Sequence, residues 1–170
     1  YIVSPVGLTA VDVITGKQQW NTVIEGAPSD PNAQSGRFVN PVGPKPPVVS
    51  GNTVVAAVAT AEPGKGTTPG HQAIAVVAVD TKSGKTKWAT KVTVPADVGP
   101  DGTGFTTQVV AVTDKAVVVT YNNEKSMTAA IDPGNQRVLW TRNDYLAGSV
   151  HGDIVAGADS NVAENSSMVQ

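Results

Sequence analysis

Cysteine is absent from the 170 residues, which removes disulfide frameworks, thiolate nucleophiles and cysteine-based zinc sites. Aromatic residues are few, and Phe105, Tyr121 and Tyr145 are too sparse to make a stacking platform for single-stranded nucleic acid. Charge is low, at 15% of residues with a net of -2. That leaves no basic footprint for nucleic acid and no polybasic patch for a membrane surface. No apolar run is long enough to span a bilayer, and the opening residues Tyr1, Ile2, Val3 and Ser4 do not form a signal peptide. Membrane anchoring outside this stretch is compatible with all of that. His71 and His151 are the only histidines, and neither has an acidic or histidine neighbour at ligand spacing.

Glycine, proline, valine and threonine are abundant, with 17 Gly and 12 Pro, a composition of short strands joined by turns. One pattern occurs three times and takes up all three tryptophans. It runs from Ala10 through Asp12, Gly16 and Lys17 to Trp20, again from Ala78 through Asp80, Gly84 and Lys85 to Trp88, and again from Ala130 through Asp132 and Arg137 to Trp140. Each copy reads as a β-hairpin. The Asp carboxylate bonds free backbone N–H groups of the turn, and Gly16 and Gly84 supply the left-handed residue of a four-residue loop or of a loop ending in a bulge. The tryptophan on the following strand packs between neighbouring units. In the third copy Gln136 stands at the glycine position, and Pro133, Gly134 and Asn135 point to a changed turn type.

These three stretches resemble the pyrroloquinoline-quinone-like β-propeller repeat, in which Ala-x-Asp-x-x-Thr-Gly-Lys-x-x-Trp joins the third and outermost strands of a four-stranded blade. The match is close for 10–20 and 78–88 and partial for 130–140. The resemblance implies an all-β propeller of four-stranded antiparallel blades and makes the tryptophans inter-blade docking residues. Truncating Trp88 to Ala is then expected to cost about 3–5 kcal/mol if its side chain is fully buried. The family includes quinoprotein dehydrogenases, the propeller lipoprotein of outer-membrane assembly and extracytoplasmic propellers of unassigned role, so the repeat alone does not select a task. It implies an extracytoplasmic location, in the periplasm, the cell envelope or the secreted fraction.

Along the chain, the second half of a blade is expected over 1–25, full blades over 47–94 and 105–143, and the first half of another over 147–170. The apolar runs 54–59 and 73–78 are expected on strands covered on both faces. Long loops are expected over 26–46 and 61–71. About three blade-equivalents fall short of the roughly four to eight in a closed ring, so the expected architecture is an incomplete part of a larger propeller.

Reactive chemistry is sparse. Gly64, Lys65, Gly66, Thr67 and Thr68 lack phosphate-loop spacing and have no following helix; they read as an exposed hairpin tip. Asp97, Asp101, Asp153 and Asp159 do not form a calcium loop. The identical place of Asp12, Asp80 and Asp132 in each repeat marks a structural turn role. No catalytic, cofactor-binding or metal residue is assigned. The expected function is a non-catalytic scaffold or binding module whose protein partner contacts loops 26–47 and 62–71. Two alternatives follow from the family: a fragment of a quinone-dependent dehydrogenase oxidising alcohols or sugars with pyrroloquinoline quinone and calcium, or an extracytoplasmic sensor domain of a membrane receptor or kinase.

Overall fold

The computed structural model describes residues 1–4, 7–24, 45–62, 67, 71–94, 106–122 and 125–159, and these contain strands and turns but no helix. Strands β1 (Ile2–Ser4), β2 (Gly7–Val11) and β3 (Gln18–Val23) form one antiparallel sheet. Strands β4 (Val48–Ser50), β5 (Thr53–Glu62), β6 (His71–Asp80) and β7 (Thr86–Thr93) form a second. A third contains β8 (Thr106–Val112), β9 (Val117–Asn122), β10 (Ser126–Ile131) and β11 (Val138–Asn143). The hairpin β12 (Tyr145–His151) and β13 (Ile154–Asp159) follows. Every sheet is a meander of sequential strands, as short polar turns between β-branched runs dictate.

The side-chain alternation of β5 and β6 explains why their apolar runs are continuous. Val54, Ala56 and Val58 of β5, with Ala75, Val77 and Val79 of β6, join Leu8 and Ile24 in one core, with Val3 and Trp20 at its margin. On the opposite face, Val55, Ala57, Ile74, Val76 and Ala78 join Val117, Val119, Tyr121, Met127, Ala129 and Ile131 of the third sheet. The second sheet is thus covered on both sides, and a period-two pattern has apolar residues in both phases. The far side of the third sheet contributes Val118 and Ala130 to a smaller core with Ala147 of β12. Consecutive sheets therefore pack face to face in chain order.

Two buried hydroxyls tie the layers together. Thr107 on β8 donates to the carbonyl of Ala57 on β5 at 2.9 Å, and Tyr121 on β9 donates to Gln72 Oε1 on β6 at 2.8 Å. A third hydroxyl, that of Thr128, donates to the Tyr145 carbonyl at 2.7 Å and accepts from the Ala147 N–H at 3.0 Å.

Several boundaries differ from those read in the sequence. The unit over 1–25 has three strands, Ile2–Ser4 pairing with β2 as the first of them. The loop over 61–71 is shorter, since the ladder continues to the pair Glu62 and His71; His71 is accordingly a strand residue. The hairpin expected to begin at 147 starts at Tyr145. Residues 25–44, which hold most of the 26–46 loop, lie outside the described residues, as do 63–66, 68–70, 95–105 and 160–170.

Candidate functional site

The repeated hairpins are the one chemical pattern that recurs among the described residues, and the three turns share one skeleton. The N–H groups of Asp12, Asp80 and Asp132 donate to the carbonyls of Lys17, Lys85 and Arg137, each at 2.9 Å, while their own carbonyls accept from residues 16, 84 and 136 at 2.8–2.9 Å. Their carboxylates turn inward. Asp12 Oδ1 accepts from the N–H groups of Ile14 and Thr15 at 3.0 and 2.8 Å and from the Thr15 hydroxyl at 2.9 Å. Asp80 Oδ1 repeats this with Lys82 and Ser83 at 3.1, 2.9 and 2.9 Å. Asp132 Oδ1 accepts from Gly134 and Asn135 at 2.7 and 3.3 Å.

The Thr15 backbone N–H, then its hydroxyl and the Ile14 N–H, hold the Asp12 carboxyl below its ordinary range. The Ser83 backbone N–H and hydroxyl do the same to Asp80, helped by Lys82 and weakly by the Lys87 ammonium. Bonds to the ionised form lower a carboxylate pKa even at an exposed turn. All three aspartates are thereby occupied in closing their own turns.

The changed turn type expected for the third copy is not found. Gln136 adopts φ 64, against 68 at both Gly16 and Gly84, and Asn135 Oδ1 accepts from the Arg137 N–H at 3.0 Å as Thr15 and Ser83 do for Lys17 and Lys85. The backbone ladder of the turn outweighs the preference of residue 136.

Beyond each turn a bulge brings Ala opposite Trp. Ala10 pairs with Trp20, Ala78 with Trp88 and Ala130 with Trp140, and in each case the register slips at the next residue. Directly opposed residues of neighbouring strands share a face, so in each hairpin the small side chain of the alanine leaves room beside it for the indole.

At the first junction the contact is complete. The Trp20 indole N–H donates to the carbonyl of Thr81 at 3.0 Å, the Tyr1 ring tilts against it with centroids 5.7 Å apart, and the Thr22 hydroxyl donates to the carbonyl of Gly84. A Cβ on residue 84 would lie 2.6 Å from the indole Cδ2, so the seat requires the bare α-carbon of glycine. The second junction retains half of this. Thr90 donates to the carbonyl of Gln136 at 2.9 Å, and Trp88 packs against the core between the second and third sheets, but among the described residues its indole makes no bond to the third turn. Gln136 has a side chain where Gly84 has none.

Sequence reading missed Thr22 and Thr90, although the recurrence of Thr two places after Trp in both copies was the available signal. It also missed the buried Thr107, Gln72 and Tyr121 ties, for which no local pattern exists. The remaining polar residues singled out in the sequence do not converge. His151 and Asp153 lie exposed at the β12–β13 turn, with Asp153 bonded to the Lys115 ammonium at 2.9 and 3.2 Å. Asp159 is 3.8 Å from Arg142, whose guanidinium covers the Tyr145 ring at 4.5 Å. Tyr121 is fully buried. No three His, Asp or Glu side chains are grouped to hold a metal ion among the described residues, and none of their elements is a helix long and apolar enough to cross a membrane. Residues 64–66, Thr68, Asp97, Asp101 and Phe105 lie outside the described residues. No protein-family model matches the chain, and no curated protein matches its sequence.

Proposed function

We propose that this chain is a portion of a β-propeller of the pyrroloquinoline-quinone-like repeat type, and that it works outside the cytoplasm as a non-catalytic scaffold that binds other proteins. One observation carries this reading: the residues repeated at fixed positions all act on architecture. Asp12, Asp80 and Asp132 close turns, Gly84 admits an indole, and Trp20 and Thr22 fasten one sheet to the turn of the next. A motif that joins successive sheets by the same contact is what a radial array of blades needs. The polar side chains left at the surface are dispersed or paired with each other, as in Lys115 with Asp153, which suits a broad contact face better than a reaction centre. The partner contact through 26–47 and 62–71 belongs to this proposal and rests on their sequence as connectors.

The test is to supply the protein with pyrroloquinoline quinone and calcium, then to follow quinone binding by fluorescence and dye-linked oxidation of alcohols and sugars. No binding and no turnover are expected. Turnover would replace the scaffold reading by the quinone-dependent dehydrogenase.

A further inference from the structure

The three turns share a backbone, but the peptide bond after the aspartate differs in each. It joins Asp12 to Val13, Asp80 to Thr81 and Asp132 to Pro133. Only the third is a tertiary amide, whose nitrogen bears no hydrogen. Such a nitrogen takes up a proton more readily than that of a secondary amide and leaves more easily, so an adjoining carboxylate can displace it. The only other Asp-Pro pair of the chain, Asp30 and Pro31, lies outside the described residues.

The third turn also holds the other reacting groups in place. The Asp132 carbonyl, the one open to attack, accepts from the Gln136 N–H at 2.8 Å, a donor already aimed at the oxygen on which negative charge develops. The Asp132 carboxylate is folded back along the same stretch, with Oδ1 accepting from the N–H groups of Gly134 and Asn135 at 2.7 and 3.3 Å. In the other two turns Oδ1 takes a further bond from a hydroxyl, that of Thr15 or Ser83, and Asn135 stands at this place in the third. Among the described residues, the carboxylate beside the weakest amide is thus the one held by the fewest bonds. The charged residues on the elements around this turn are Arg137 and Arg142 on its own hairpin, Lys91 on β7, and Asp114 and Lys115 between β8 and β9. Among the described residues none of these is ion-paired with Asp132, and Arg142 and Lys115 are turned to Asp159 and Asp153.

We infer that the bond between Asp132 and Pro133 is a self-cleavage site that acts in acidic surroundings. A carboxylate oxygen of Asp132 attacks the carbonyl carbon of the same residue, the C–N bond to Pro133 breaks, and the proline nitrogen leaves with a proton taken from the acidic solvent. The new C–O bond closes a cyclic anhydride, which water opens to leave Asp132 with a free α-carboxyl and its side-chain carboxyl restored. Pro133 becomes an N-terminus. Nothing is oxidised or reduced, and water is the sole co-reactant. The nicked hairpin keeps its partners, because Met127, Thr128, Ala129 and Ala130 remain opposite Asn143, Arg142, Thr141 and Trp140. Self-cleavage goes beyond the scaffold reading and does not depend on it.

The experiment is intact-mass analysis of the 170-residue chain during incubation in mild acid, at a pH where circular dichroism shows the strands intact, with and without denaturant. Fragments 1–132 and 133–170 are expected, forming at least about tenfold faster in the folded chain than in denaturant, a small part of what a preset geometry can supply. Pro133→Val copies the first turn, where Val13 holds this place, and Asp132→Asn keeps the Oδ1 acceptor. Both variants are expected to fold and to stay whole at this bond. A folded parent chain that is not cut there, or is cut no faster than in denaturant, overturns the inference, as does cutting that persists in either variant. Cleavage at Asp30 and Pro31 alone overturns it as well, since the third turn would then confer nothing on its bond.

Discussion

Trp20 closes over Gly84, with its ring in the space a Cβ would need and its indole N–H on the carbonyl of Thr81 at 3.0 Å. A single glycine thus has two roles, one for its own turn at φ 68 and one for the neighbouring sheet. Gly16 has the same backbone and, among the described residues, only the first role.

The pair separates backbone strain from docking. Gly16→Ala is expected to cost about 1–2 kcal/mol, the penalty of a side chain in the left-handed region. Gly84→Ala is expected to cost that and a further ~1–3 kcal/mol for displacing the ring. Chemical denaturation of the two variants measures the difference, and equal losses would show that the seat contributes nothing to stability.

Trp88 is half-buried at the edge of the core shared by the second and third sheets, so Trp88→Ala is expected to cost about 2–3 kcal/mol, below the ~3–5 kcal/mol of a fully buried tryptophan. Trp140→Ala, at a ring that is 39% exposed on a strand open to solvent, is expected to cost less than that, about 1–2 kcal/mol. Thermal melts at low protein concentration rank the two. A larger loss for Trp140 would mean that β11 is covered in solution.

The strands and the hairpin motif were legible because their signals are local. Val54 to Val58 and Ala73 to Val79 are apolar in both phases and bounded by turn residues, which leaves a doubly covered strand as the simplest outcome. Asp12 and Gly16 announce their turn within six residues. What was not legible depends on residues far apart in the chain. Thr107 meets Ala57 across a span of fifty residues, and nothing in the neighbourhood of either marks the other. Gln136 was misread for a related reason: its own preference argues against a left-handed conformation, and only the closed ladder between Asp132 and Arg137 shows why it is imposed.

Thr107→Val keeps the shape of the side chain and removes the bond from the second sheet to the third. Because the site is buried, the Ala57 carbonyl loses a side-chain donor that water cannot readily replace, at a cost of about 1–2 kcal/mol. Equilibrium unfolding checks the size, and amide exchange checks the place: protection should fall first along β8. Unchanged stability would mean that solvent reaches the junction.

Acid should loosen the turns before it reaches the core. Asp12 and Asp80 have folded pKa values below the ordinary 3.8, so the folded state favours their charged forms. The stability they contribute is fully present above about that value and is lost as pH falls through their lower folded values. Asparagine at both positions offers the same Oδ1 acceptor to the Thr15 and Ser83 N–H groups but takes up no proton. The Asp12→Asn, Asp80→Asn double variant should therefore be somewhat less stable near neutrality, where a charged acceptor makes the stronger bonds, and should lose less on acidification. Unfolding free energies of both proteins from neutrality to below pH 3.8 should converge at the acid end. Parallel curves would show that the two carboxylates are not bonded in the turn as ions, and the shared logic of the three hairpins would lose its electrostatic part.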